Sequence, residues 1–189
     1  VAAAREGVAR FLDMIPVGSE ASYGFNNRGE FGNVGLGTPI AVVSIVPDSI
    51  KNGIREDQNI FVPVNEWRVP ITVNGEMRAL LTVAKVGGTW KAVDFGASGL
   101  ASELGKFMKD RAMDIAGRRV ELLRLYQLHS DFLLLTDTTQ AAAKENICPL
   151  TSATMMLERN GQAVKSVYSK ATLLPLIRED FGREAQNEQ

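Results

Sequence analysis

The sequence predicts an α+β fold, an antiparallel sheet built on a meander at about 67–95 and packed with an N-terminal helix and two or three further helices. Three observations carry that prediction. Two strand-like runs, Trp67 to Val73 and Glu76 to Val83, flank Asn74-Gly75, a strong hairpin signal. Gly87-Gly88 turns the second run into a third, Thr89 to Phe95. Apolar residues recur with a helical period at the N-terminus and again after Ser98.

Taken in order, Ala4, Val8, Phe11, Leu12 and Ile15 lie on one face of a helix that Pro16 and Gly18 close. From Gly18 to Gly37 the glycines and asparagines predict a long loop. Pro39 to Val46 reads as a strand ended by Pro47-Asp48, and Ile60 to Val64 as a short one whose Pro63 belongs at an edge or a bulge.

In the meander, a two-residue Asn74-Gly75 turn sets Ile71 opposite Arg78, whereas a three-residue loop, Val73 to Gly75, sets Ile71 against Met77, Val69 against Ala79 and Trp67 against Leu81. Matching apolar faces favours the longer loop. Both faces carry apolar residues, which calls for cover on each side.

Ser98 is the expected N-cap of a helix bearing Leu100, Leu104, Phe107, Met108 and Ile115 and ended by Gly117. Val120 to Leu128 and Phe132 to Thr136 read as two strands or one bent strand around His129-Ser130-Asp131. Between 149 and 168 the sequence leaves two options, a helix opened by Pro149 and stopped by Gly161, or a hairpin turning at Asn160-Gly161; the first is preferred. A last helix is expected near Thr172 with Pro175 in its first turn, followed by a polar tail from Arg183. No repeat or linker divides the chain, so one domain over 1–189 is expected.

Composition narrows the function classes. The 189 residues carry 21 basic and 22 acidic side chains, a net charge of −1 with no long block of either sign, which argues against nucleic acid as a partner. No apolar run reaches the ~18 residues of a membrane span. With one cysteine no intrachain disulfide can form. The chain opens Val1-Ala2-Ala3-Ala4 without an initiator methionine, which suggests a removed upstream segment; the expected setting is periplasmic or secreted if that segment was a signal peptide, and otherwise cytoplasmic.

Catalytic and metal signals are thin. His129, the single histidine, sits beside Ser130 and Asp131, but neighbours on an extended chain point to opposite faces and make no relay. Cys148 before Pro149 stands where a helix N-terminus lowers a thiol's pKa, so a Cys148/His129 pair is the enzymatic alternative. Gly32 to Gly37 precedes a strand, the wrong context for a phosphate loop. Asp94 is a possible buried acid if its face of the sheet is covered. No metal site or cofactor is indicated.

Gly37-Thr38-Pro39, Arg78 to Val83, Gly88 to Val93 and Asp131-Phe132 together resemble a loose group of exported bacterial domains without an assigned activity. The resemblance covers about half the chain; it implies an extracytoplasmic bacterial setting and transfers no catalytic residue. The reading that follows is a non-enzymatic extracytoplasmic binding or protein-interaction module. Its expected contact surfaces are an exposed sheet face and the glycine-rich loop, where Tyr23, Phe25, Asn26, Asn27, Arg28 and Phe31 are the ligand-binding candidates. The alternatives are the Cys148/His129 hydrolase and a self-associating structural protein, such as a homodimer.

Overall fold

The N-terminal periodicity becomes helix α1 (Ala2–Met14), which buries Ala4, Gly7 and Leu12. In the helix's C-terminal flank, Ile15 turns extended (φ −68°, ψ 121°), the conformation a residue before proline prefers. The structure, a computed structural model, describes residues 1–45, 60–139, 144–159 and 161–187, with side chains up to 182. The expectations for Val46, Pro47-Asp48 and Asn160, and for side chains of the polar tail, fall outside these residues. Helix and strand are nearly balanced at 40% and 39%, and strands pair antiparallel for the most part, with one parallel pair that a pure meander does not contain.

Contacts cluster into two compact units, Val1–Ala41 with Asn65–Asp114, and Val42–Val64 with Ile115–Gln189. Their boundaries fall inside two strands, β2 (Ile40–Ile45) and β3 (Phe61–Val73), and inside the short helical turn Ala112–Ile115.

In the first unit the strand order is β5-β4-β3, with β1 (Val34–Leu36) pairing β3. The expected strands 60–64 and 67–73 are one strand, β3, because Asn65 adopts a left-handed conformation (φ 55°) without breaking it. β4 (Glu76–Val86) follows through a two-residue turn at Asn74 (φ 52°) and Gly75 (φ 82°), not the three-residue loop. The apolar faces still meet. A bulge lets the register move from Thr72↔Met77 to Ile71↔Ala79, so Val69 pairs with Leu81 and Trp67 with Val83. The extra residue is Arg78, and the expected pairs Ile71/Met77, Val69/Ala79 and Trp67/Leu81 are each displaced by two. A second irregularity at Thr82/Val83 marks the pairing with β5 (Thr89–Gly96).

α1 packs on β4 and β5, and α2 (Ser98–Asp110) packs on β4. Ser98 is the first residue of α2 and not its cap; the preceding Ala97 is left-handed (φ 51°) and makes no side-chain cap bond. Ala101 and Leu104 are the buried positions of α2, which stops at Arg111; a separate turn, α3 (Ala112–Ile115), follows. The unit's core joins Ala4, Leu12 and Ile15 of the α1 segment to Ile71, Leu81 and Phe95. Each of the larger of these side chains removed from water contributes roughly 1.5–3 kcal/mol before conformational entropy is charged against it.

The second unit orders its strands β2-β6-β7-β8. The two-strand reading around His129 is the observed one. β6 (Arg118–Leu125) and β7 (Ser130–Asp137) form an antiparallel hairpin, joined by a 3-10 turn, Tyr126–Leu128, and His129 (φ 47°). β8 (Lys144–Pro149) adds to β7 and was not foreseen. Helix α4 (Thr151–Arg159) resolves the helix-or-hairpin choice, starting after Pro149 rather than on it. The last helix, α5 (Lys170–Asn187), begins two residues before Thr172 and takes in the expected polar tail. Ser169 and Thr172 set its start: the Ser169 N–H donates to Thr172 Oγ1 (3.0 Å) and the Thr172 N–H to Ser169 Oγ (3.3 Å). A separate core unites Leu123, Phe132 and Ile147 with Met156, Leu157 and Ile177.

Candidate functional site

The glycine-rich segment is not a structureless loop. It folds into two 3-10 turns, Glu20–Tyr23 and Arg28–Asn33, followed by β1. Phe25 is only 1% exposed and stacks parallel to Phe95 at 6.4 Å, with Phe31 edge-on to it at 5.0 Å. It is therefore a core residue, and its ring is not available to a ligand. Tyr23 and Phe31 are partly buried against the same core. Gly24 permits this arrangement: its φ is +87°, and a Cβ there would lie 2.1 Å from the Arg78 carbonyl oxygen.

The polar candidates are engaged within the segment. Asn27 accepts from the Gly29 N–H (2.9 Å). Arg28 donates to the Ile15 carbonyl (3.0 Å), pairs with Glu20 (3.2 Å) and lies over the Phe31 ring (5.2 Å). Asn26 donates its backbone and side-chain N–H groups to Glu30 (2.8 and 2.7 Å), and Arg78, turned by the bulge, reaches the same carboxylate at 3.4 Å. These bonds close the segment on itself.

The Asn26 backbone N–H, helped by its side chain and by Arg78, holds the Glu30 carboxyl below its ordinary range; Glu20 is lowered by its own backbone N–H and by Arg28. For a carboxyl lowered on folding, the unfolded chain binds the extra proton, so the stabilisation is complete above the ordinary value and is lost as pH falls through the folded one. Amide protection at Phe25 and Asn26 is expected to drop first on acidification from neutral to about pH 3, and Glu30→Gln to flatten that profile. Hydrogen exchange measures it, and equal loss of protection across the unit would contradict the assignment.

Cys148 lies in β8, 1% exposed, with Leu133 as its Cα partner. A buried strand position replaces the expected helix N-terminus, and a substrate carbonyl has no access to the sulfur. His129 is exposed beside a small cavity of about 250 Å³ lined by Arg124, Leu125 and Tyr126. Its neighbours are committed elsewhere. The Ser130 hydroxyl donates to the Leu128 carbonyl (2.8 Å), and Asp131 accepts a two-pronged bond from Arg124 (2.8 and 2.9 Å). Asp94 is exposed, not the buried acid considered from the sequence. No group of three or more His, Cys, Asp or Glu among the described residues could hold a metal ion.

An open apolar feature lies in the first unit. A trough of about 630 Å³ runs between the start of α1 and the sheet, walled by Trp67 and Trp90 and floored by Val69 and Val83. Register explains the geometry. Trp67 pairs with Val83, which pairs with Ala92, two residues from Trp90, so both indoles stand on one face, on the two strands that flank β4. Those strands are about 9.5 Å apart, two strand spacings. Trp67 is 38% exposed and Trp90 40%. A second hollow of about 480 Å³ shares Ala4, Pro39 and Val69 with the trough and adds Arg5, Val8 and Leu36.

No family model, curated protein or solved structure matches the chain.

The sequence places the two tryptophans on strands of the meander but does not show them as a site. Their shared face depends on the regular run of pairs Val83↔Ala92 to Val86↔Thr89, beyond the second irregularity.

Proposed function

We propose that the chain is a binding module working through the apolar trough of its first unit. The observation that carries this reading is the pair of half-exposed indoles, Trp67 and Trp90, held on a rigid sheet around that trough. Two tryptophans left partly in water forgo much of their burial energy, and a rigid amphipathic ring loses little entropy when it binds. Of the two surfaces expected from the sequence, the sheet face is favoured over the glycine-rich segment, whose polar groups are internally bonded. Burial of Cys148 weighs against the hydrolase alternative.

The test is titration with an uncharged apolar fluorophore such as N-phenyl-1-naphthylamine, read by energy transfer from tryptophan and, for variants, by direct excitation of the probe. Saturable binding is expected, and Trp67→Ala or Trp90→Ala should weaken it about tenfold or more. Unchanged probe affinity in both variants would defeat the proposal.

A further inference from the structure

We propose that the partner of this surface is an anionic lipid surface, which the β4–β5 hairpin tip enters at interfacial depth. The inference rests on the binding-module reading and names its partner.

The tip is built for such contact. Every residue from Lys85 to Lys91 is exposed, and the two apolar ones, Val86 at 46% and Trp90 at 40%, sit on either side of Gly87-Gly88, whose lack of side chains makes a slim apex. Trp67 adds a second indole on the same face as Trp90. Indoles prefer the boundary between headgroups and acyl chains, where the ring is shielded and its N–H stays in a polar layer.

The charges complement an anionic surface. Lys85 is the cross-strand partner of Trp90, Lys91 follows Trp90 on the opposite face, and Arg5 lines the adjoining hollow. No acidic residue occurs from Leu80 to Val93. Glu66, opposite Ala84, is ion-paired with Arg68 at 2.7 Å, whereas Lys85 and Lys91 have no ion-pair partner among the described residues. Cations flanking exposed indoles and valine, with no acid between them, fit lipid phosphates better than a neutral ligand. Lysines also carry their ammonium groups on long stems that let the apolar tip sink while the charge stays at headgroup level. No helix among the described residues is long and apolar enough to cross a membrane, so the contact proposed is made by the hairpin.

The experiment mixes the full chain with phosphatidylcholine vesicles, with and without about one third phosphatidylglycerol. The two tryptophans of the chain, Trp67 and Trp90, both belong to this surface, so intrinsic emission reports on it directly. Blue-shifted emission and co-sedimentation are expected with the anionic vesicles only. Lys85→Gln and Lys91→Gln should each lower partitioning about fivefold, as should salt near 1 M, where the Debye length shrinks to about 3 Å. Unfolding midpoints equal to wild type establish that these variants fold. Unchanged emission with anionic vesicles, partitioning insensitive to both lysines, or a Trp90-dependent dimer without lipid binding would each overturn the proposal. If vesicles fail while the apolar fluorophore still binds, the lipid partner is wrong and the binding-module reading stands; if both fail, both fall.

Discussion

Phe25→Ala is expected to lower the stability of the first unit by about 3–5 kcal/mol in urea unfolding, the cost of deleting a large ring from a site that cannot collapse around the void. Phe25 is 1% exposed and meets Phe95 in parallel and Phe31 edge-on. The same Phe95 ring stacks with Phe11 of α1 at 5.9 Å and with Tyr23 at 6.2 Å. Removing Phe25 therefore loosens one contact set shared by α1, the glycine-rich segment and β5. The result also separates two roles. A structural Phe25 gives a large stability loss; a ligand-contact Phe25 would give a loss near zero with impaired binding, which would contradict its placement in the core.

The second large effect is expected from the smallest substitution. At Gly7 an added Cβ would stand 2.1 Å from the Ala92 Cβ, closer than real methyl groups approach, with Leu81 Cδ2 at 3.7 Å. Gly7→Ala improves helix propensity by about 1 kcal/mol, and the clash opposes it. Because Ala92 belongs to a paired strand that cannot yield without disturbing its partner, the clash prevails, and a net loss of about 1–3 kcal/mol is expected. Gly7→Ala with Ala92→Gly removes the collision, so the double variant should be more stable than the sum of the single changes allows. Strict additivity in the same urea experiment would show that α1 does not approach β5 this closely.

Much of the fold was readable wherever one physical signal acted alone. The 3.6-residue spacing of Ala4, Leu12 and Ile15 produced α1, and Asn74-Gly75 and Gly87-Gly88 produced the two turns. Reading failed where two local signals competed. Apolar matching argued for a three-residue loop and turn chemistry for a two-residue one; the chain satisfies both by inserting Arg78 as a bulge, an option invisible without the partner strand. Pro63 pointed to a short strand at an edge or a bulge, yet one 13-residue strand, β3, runs through it. The glycine-rich segment looked open because composition alone cannot show that Gly24 brings backbone to backbone and lets Phe25 reach the core.

The candidate site was legible only in outline. An exposed sheet face was foreseen; the placement of Trp67 and Trp90 on one face of it was not, and Cys148 lies in a buried strand, β8, instead of at the helix N-terminus that the enzymatic alternative required. By itself the sequence determined the mixed helical and strand content, the amphipathic helices and the positions of the turns, because each depends on side chains within a few residues of one another. Only the tertiary structure decided the strand registers, the burial of Phe25 and Cys148 and the face shared by the two indoles. Those properties depend on which distant segments meet, and the same local pattern is compatible with more than one such meeting.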